Sequence, residues 1–235
     1  MKSQPRRIAK IIEPKLVTEG AGVKLMRSIA TRTLDYLDPF LLLDHFESSN
    51  PRDYQAGFPL HPHRGIGTMT YVLRGAVHHK DTLGNSGTIG AGAVQWMTAG
   101  RGIMHEEMPQ VRPEGIAGFQ LWVNLPAKLK MSRLRYQDIR AAEVPEITRA
   151  GGGKIRVITG TVDGVSGPVT GIAAAPAYLD VSLPAMPRSV SRSNGDTRHL
   201  SMCARGRHNL PERSKQTELG CHAPGSSCCI MTAMR

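Results

Sequence analysis

Short apolar runs recur along this chain, each cut off by glycine, proline or a polar cluster. Residues 23–27, Val-Lys-Leu-Met-Arg, alternate apolar and charged positions as a half-buried strand does. Residues 39–46 are denser: Phe40, Leu41, Leu42, Leu43 and Phe46 cannot all face water, which predicts a core strand. Residues 68–73 are β-branched and aromatic, and Arg74-Gly75 stops them; residues 76–81 and 94–97 are two further runs, with a turn cluster at 83–87. From Phe119 to Leu125 the alternation is clean, with Gln120, Trp122 and Asn124 on the opposite face, until Pro126 ends it. Residues 7–12 make a weaker strand candidate, and the charged residues 128–140 predict a helical turn or two. Pro145 and the three glycines at 151–153 mark a linker; strands follow at 154–160 and 178–183. After about Arg188 the alternation stops.

The chemistry gathers at the two ends of residues 61–107. One end carries His61 and His63, the other His105 and Glu107. Extended residues at i and i+2 share a face, so each pair presents two metal-capable groups together. A strand meander that folds back brings the pairs side by side, giving three imidazoles and one carboxylate. That set suits a borderline divalent ion such as iron, manganese, nickel, cobalt, copper or zinc. A lone His-x-His is weak evidence, because most such histidines are surface or core residues; the second pair changes the odds. His78 and His79 are adjacent, so they point to opposite faces and are read as surface or turn residues. His45 is read as a hydrogen-bonded histidine at a strand end, and Phe58 and Leu60 as walls of a pocket mouth. Arg64 and Arg101 flank the ligands; they either pair with acidic side chains or receive an anionic substrate, and the sequence leaves both open.

The motifs HPHRG at 61–65, TYVL at 70–73, LGNSG at 83–87 and QWMTAGRGIMHEEMP at 95–109, with DPFLL before them and QLWVNL after, resemble the pirin family of cupins over about residues 8–187. The resemblance implies an all-β fold: a cupin (double-stranded β-helix, jelly-roll) barrel at 1–137, a linker at 138–153 and the start of a second cupin at 154–187. It implies the ligand set His61, His63, His105 and Glu107, with Fe(II) as the leading ion. Pirins also keep a non-ligating glutamate four residues after the second histidine. Here that position is Gly67, which puts a contact around the metal or substrate in doubt.

Composition adds limits. Apolar content is 40%, with 25 glycines and 16 prolines, which suits a turn-rich β protein. The N-terminal residues lack an apolar h-region, so the expectation is no secretory signal, no membrane span and a cytoplasmic protein. The net charge of +11 would suggest nucleic acid, yet residues 188–235 hold eight Lys/Arg against three Asp/Glu and no nucleic-acid motif appears. A solvated basic surface is the reading taken. Residues 189–235 contain no Phe, Tyr or Trp and one valine, Val190, while all four cysteines lie there. The expectation is a basic Cys/Ser/Arg-rich tail at 188–235 without packed strands: a shifted reading frame or chimeric end, a disordered basic tail, or a zinc-binding tail.

The resemblance implies two functional classes. The first is a metal-dependent dioxygenase that opens a flavonol such as quercetin with O2, with Glu107 as the catalytic proton acceptor. The second is a metal-dependent co-regulator that acts through a protein partner without obligatory catalysis.

Overall fold

The computed structural model describes residues 10–183, 197–203 and 226–234. It separates into two compact units, one spanning Ile12–Glu143 and one that joins the residues up to Ile11 with those from Val144 onward.

The first unit holds eleven strands: β1 (Lys15–Glu19), β2 (Val23–Ile29), β3 (Phe40–Ser48), β4 (Phe58–His63), β5 (Ile66–Arg74), β6 (Ala76–Asp81), β7 (Ser86–Gly90), β8 (Val94–Thr98), β9 (Ile103–Pro109), β10 (Ile116–Asn124) and β11 (Arg135–Ile139). They form a seven-stranded sheet in the order β1-β2-β3-β10-β5-β8-β11 and a four-stranded sheet in the order β4-β9-β6-β7. All the pairings are antiparallel. The expected strands at 23–27, 39–46, 68–73, 76–81 and 94–97 are all present.

Register explains why one interior is both apolar and polar. On one face of the large sheet, Leu43, Leu121, Met69 and Trp96 lie in a row across four strands, and all are buried. One residue along, a polar row runs Arg27, Asp44, Gln120, Thr70, Gln95 and Asp138 across six strands. Period-2 alternation turns this second row toward the small sheet, where Thr70 meets Glu107 and Gln95 meets His79. Two residues further along the same face, the interior becomes apolar. Val72, Val77, Ile89, Ile116, Val23, Leu25 and Tyr54 pack there as one buried cluster. Each such side chain contributes roughly 1.5–3 kcal/mol by leaving water, and together they close that end of the barrel.

Three expectations need correction. Residues 128–140 hold a short 3-10 turn at Ala127–Leu129 and then strand β11, because Arg135–Ile139 completes the backbone ladder of β8. The first unit therefore runs past residue 137. The expected linker 138–153 also contains structure, a 3-10 turn at Ala141–Glu143 and a strand at Glu146–Thr148. Of the 7–12 strand candidate, Lys10, Ile11 and Ile12 have no regular structure and the rest lies outside the described residues.

The second unit contains β12 (Glu146–Thr148), β13 (Lys154–Thr159), β14 (Thr161–Val162), β15 (Val165–Ser166), β16 (Ala177–Leu183), β17 (Thr197–Cys203) and β18 (Ser226–Met234). Its main sheet has the order β12-β13-β16-β18-β17 around a small core of Ile155, Val157, Leu179 and Val181. Strands β17 and β18 overturn the expectation of no strands after residue 187. Seven residues of β18 pair with β16, and β17 pairs with β18. Backbone hydrogen bonds form whatever the side chains are, so composition alone misses such strands. The remainder of the expected tail lies outside the described residues. Among the described residues no helix is long and apolar enough to cross a membrane.

Candidate metal centre

Strands β4 and β9 bring the two predicted pairs together. His61 lies directly opposite His105, and His63 opposite Ile103. Along β9, Ile103, His105 and Glu107 are buried while Met104 and Glu106 are less so, as the i, i+2 spacing requires. The three imidazoles converge. Ring centroids stand 4.8 Å apart for His61 and His63, 4.6 Å for His61 and His105, and 4.9 Å for His63 and His105. One donor nitrogen from each lies within 4.8 Å of the other two.

The ring orientations suit a cation. His61 Nδ1 donates to the Pro59 carbonyl at 2.9 Å, which leaves the Nε2 lone pair facing the cluster. His61 Nε2 and His63 Nε2 are 3.1 Å apart. Two imidazole nitrogens that each sit about 2.1 Å from one ion, in adjacent coordination positions, are roughly 3.0–3.4 Å apart. His105 is 1% exposed, and among the described residues neither of its ring nitrogens has a partner. A buried imidazole left so is costly unless something else binds it. Burial, reinforced by neighbouring imidazoles, holds the His63 and His105 pKa values down to about 4. Both rings are therefore neutral at physiological pH, the form a metal requires. The donor set fits a divalent ion.

Glu107 stands on the same inward face but outside that close nitrogen group. Its Oε1 accepts from the Thr70 hydroxyl at 2.8 Å. Thr70 Oγ1 also lies 2.6 Å from Gln120 Oε1. One hydroxyl proton serves one acceptor. The chain is satisfied with the Gln120 amide turned so that its nitrogen donates to Thr70, which donates to Glu107.

Residues 22–123 match the family described as pirin. A pirin-like protein of Caulobacter vibrioides is 47% identical over 181 residues, covering 77% of this chain and 66% of that protein. A Pseudomonas aeruginosa protein with a provisional quercetin 2,3-dioxygenase name is 48% identical over 181 residues, covering 74% of this chain and 63% of that protein. The chain thus spans a little under two thirds of the length of these curated relatives. The crystal structure of quercetin 2,3-dioxygenase from Acinetobacter baumannii superposes with a TM-score of 0.83 at 29% identity, covering 99% of this chain and 88% of that one. The chain belongs to the pirin family. Its fold is the cupin fold of that family.

Against the pirin pattern, Gly67 is the departure, and the structure shows where it points. A Cβ there would meet Trp96 Nε1 at 3.3 Å and the Met97 carbonyl at 3.6 Å. Gly67 lies on the same face of β5 as Met69, opposite to Thr68 and Thr70. The missing glutamate therefore concerns the Trp96 side of the sheet and not the imidazoles.

The structure corrects the expectation that His79 is a surface or turn residue. His79 is 3% exposed and receives a hydrogen bond from Gln95 Nε2 at 2.7 Å, while Gln95 Nε2 also donates to Asp138 at 2.7 Å. Burial lowers its pKa. Alternation fixed that His78 and His79 face apart but not which faces inward; the apolar Val77, two residues before His79, was the available signal. His78, by contrast, lies near Thr88 at the surface. His45 stacks on Phe119 with centroids 4.9 Å apart and reaches Glu47 at 3.7 Å, away from the cluster.

A cavity of about 390 Å³ adjoins the centre, lined by Leu41, Leu42, Ile66 and Trp122 together with His63 and Arg64. The Trp122 ring stands edge-on to His63 with centroids 5.0 Å apart. Phe58 and Leu60 do not line it: Phe58 packs on the apolar cluster below, and Leu60 is exposed.

Proposed function

We propose that this protein is a mononuclear metal-dependent dioxygenase that opens flavonols such as quercetin with O2. His61, His63 and His105 would hold the ion with Glu107 as fourth ligand. Fe(II) is the ion proposed, and manganese, nickel, cobalt, copper and zinc suit the same donors. One observation carries the reading: three imidazoles converge, His63 and His105 are buried and held neutral, and both nitrogens of His105 lack a partner among the described residues. The provisional name of the Pseudomonas relative adds the substrate class.

A bound divalent ion supplies Lewis acidity that acidifies a coordinated hydroxyl, and redox access to O2. The chain's own residues supply the rest. Thr70 donates to Glu107 Oε1; with one carboxylate oxygen shared between Thr70 and the ion, the other would be left to accept the proton of the flavonol 3-hydroxyl. Leu41, Leu42, Ile66 and Trp122 give the aromatic rings an apolar berth. The test is O2 uptake with quercetin by purified, iron-loaded protein. Loss of quercetin matched by O2 consumption supports the reading. A metal-loaded protein without uptake rejects it and favours the regulatory alternative.

A further inference from the structure

The sequence left Arg64 and Arg101 with two roles each, and the structure separates them. Both side chains are exposed; the Arg101 backbone N–H donates to the Ser132 carbonyl, and Arg101 does not line the cavity. Arg64 does line it. Among the described residues Arg64 has no carboxylate within ion-pair distance, and the hydrogen bond its guanidinium makes is to Met131 Sδ at 3.4 Å. The nearby Lys130 is already engaged by the Gly65 carbonyl at 3.0 Å and Asn124 Oδ1 at 2.7 Å. The cavity thus has apolar and aromatic walls, the His63 imidazole at one side, and one cation whose donor fork is free for a ligand. A guanidinium binds carboxylates and other ionised oxygens through short, paired hydrogen bonds.

We propose that Arg64 makes this pocket selective for planar aromatic ligands bearing an ionised oxygen, carboxylate or phenolate, over neutral ligands of the same shape. The proposal rests on reading this cavity as the substrate pocket of the metal centre. Its chemistry goes further, because it predicts a preference set by ligand charge and not by ring shape.

The test uses full-length, metal-free protein, so that chelation does not contribute. Dissociation constants for 1-hydroxy-2-naphthoate and its neutral isostere 1-hydroxy-2-naphthamide are measured by quenching of tryptophan fluorescence. Wild type is expected to bind the acid about tenfold more tightly than the amide, the size of one charge-assisted hydrogen bond. Arg64→Met is expected to bring the two within about twofold, and Arg64→Lys to keep part of the preference. High salt should narrow the wild-type ratio. Binding of 2-naphthol from neutral to alkaline pH separates the two sources: tightening as the hydroxyl ionises, lost in Arg64→Met, extends the selectivity to phenolates, while a flat profile confines it to carboxylates. An acid-to-amide ratio unchanged by Arg64→Met, or near one in wild type, overturns the proposal. Matching thermal melts of the variants exclude misfolding. The O2-uptake assay with quercetin scores the dioxygenase reading separately, so either claim can fail alone.

Discussion

His61 and His105 are cross-strand partners in the β4–β9 pair, and their rings stand 4.6 Å apart. The candidate metal centre is therefore a consequence of strand register: a one-residue slip of β4 would turn both His61 and His63 to the other face. The chain enters β4 through Gly57, whose φ is +62°. A Cβ at Gly57 would lie 2.9 Å from the Glu107 carbonyl and 2.8 Å from Met108 Sδ. Gly57→Ala is thus expected to strain the entry to β4 and push on β9. A melting temperature lower by several degrees and metal affinity weaker by about tenfold are the expected outcomes. Unchanged melting and unchanged affinity would show that this entry does not set the register.

The metal-free protein should lose stability on acidification within a defined window. The folded pKa values of His63 and His105 are about 4, against about 6.5 for an unfolded histidine. Between those values the unfolded chain binds protons that the folded chain refuses, so stability falls as pH drops from about 6.5 toward 4 and is level above about 7. Thermal melts of the wild type and of His63→Gln, compared at pH 7.5 and 5, isolate one of these groups. The wild type should lose more than the variant. An equal loss in both would mean that the His63 ring is not held neutral.

Thr70 should matter to turnover more than to binding. It fixes one oxygen of Glu107, so Thr70→Val frees the proposed proton acceptor while leaving the three imidazoles and the Glu107 carboxylate itself in the chain. An approximately tenfold fall in kcat with KM changed less than about threefold is expected, the size of one buried hydrogen bond. Glu107→Gln should be slower still, with part of its metal retained. A Glu107→Gln variant turning over at the wild-type rate would remove that residue from the role.

Much of the centre was legible in the sequence because its geometry is local. Two i, i+2 pairs bounding a strand meander named His61, His63 and His105 and gave the correct face for Glu107. What supports them was not legible, because it is set by register between distant strands. Thr70 and Gln120, 50 residues apart, meet through the β5–β10 ladder. His79 was assigned outward because alternation gives two faces and names neither. The Gly67 departure looked like a loss near the metal, and the direction of its missing Cβ, toward Trp96, needed coordinates. Strands β17 and β18 escaped notice because backbone pairing to β16, and not β-branched side chains, defines them.

Calorimetric titration of Fe(II) into the metal-free full chain at pH 7 under anaerobic conditions tests the centre most directly. Wild type should bind about one ion per chain, and His105→Ala, which removes the most buried and least partnered imidazole, should bind none at the same concentrations. A folded wild type that takes up no ion, or a His105→Ala variant that binds as tightly as wild type, would contradict the account.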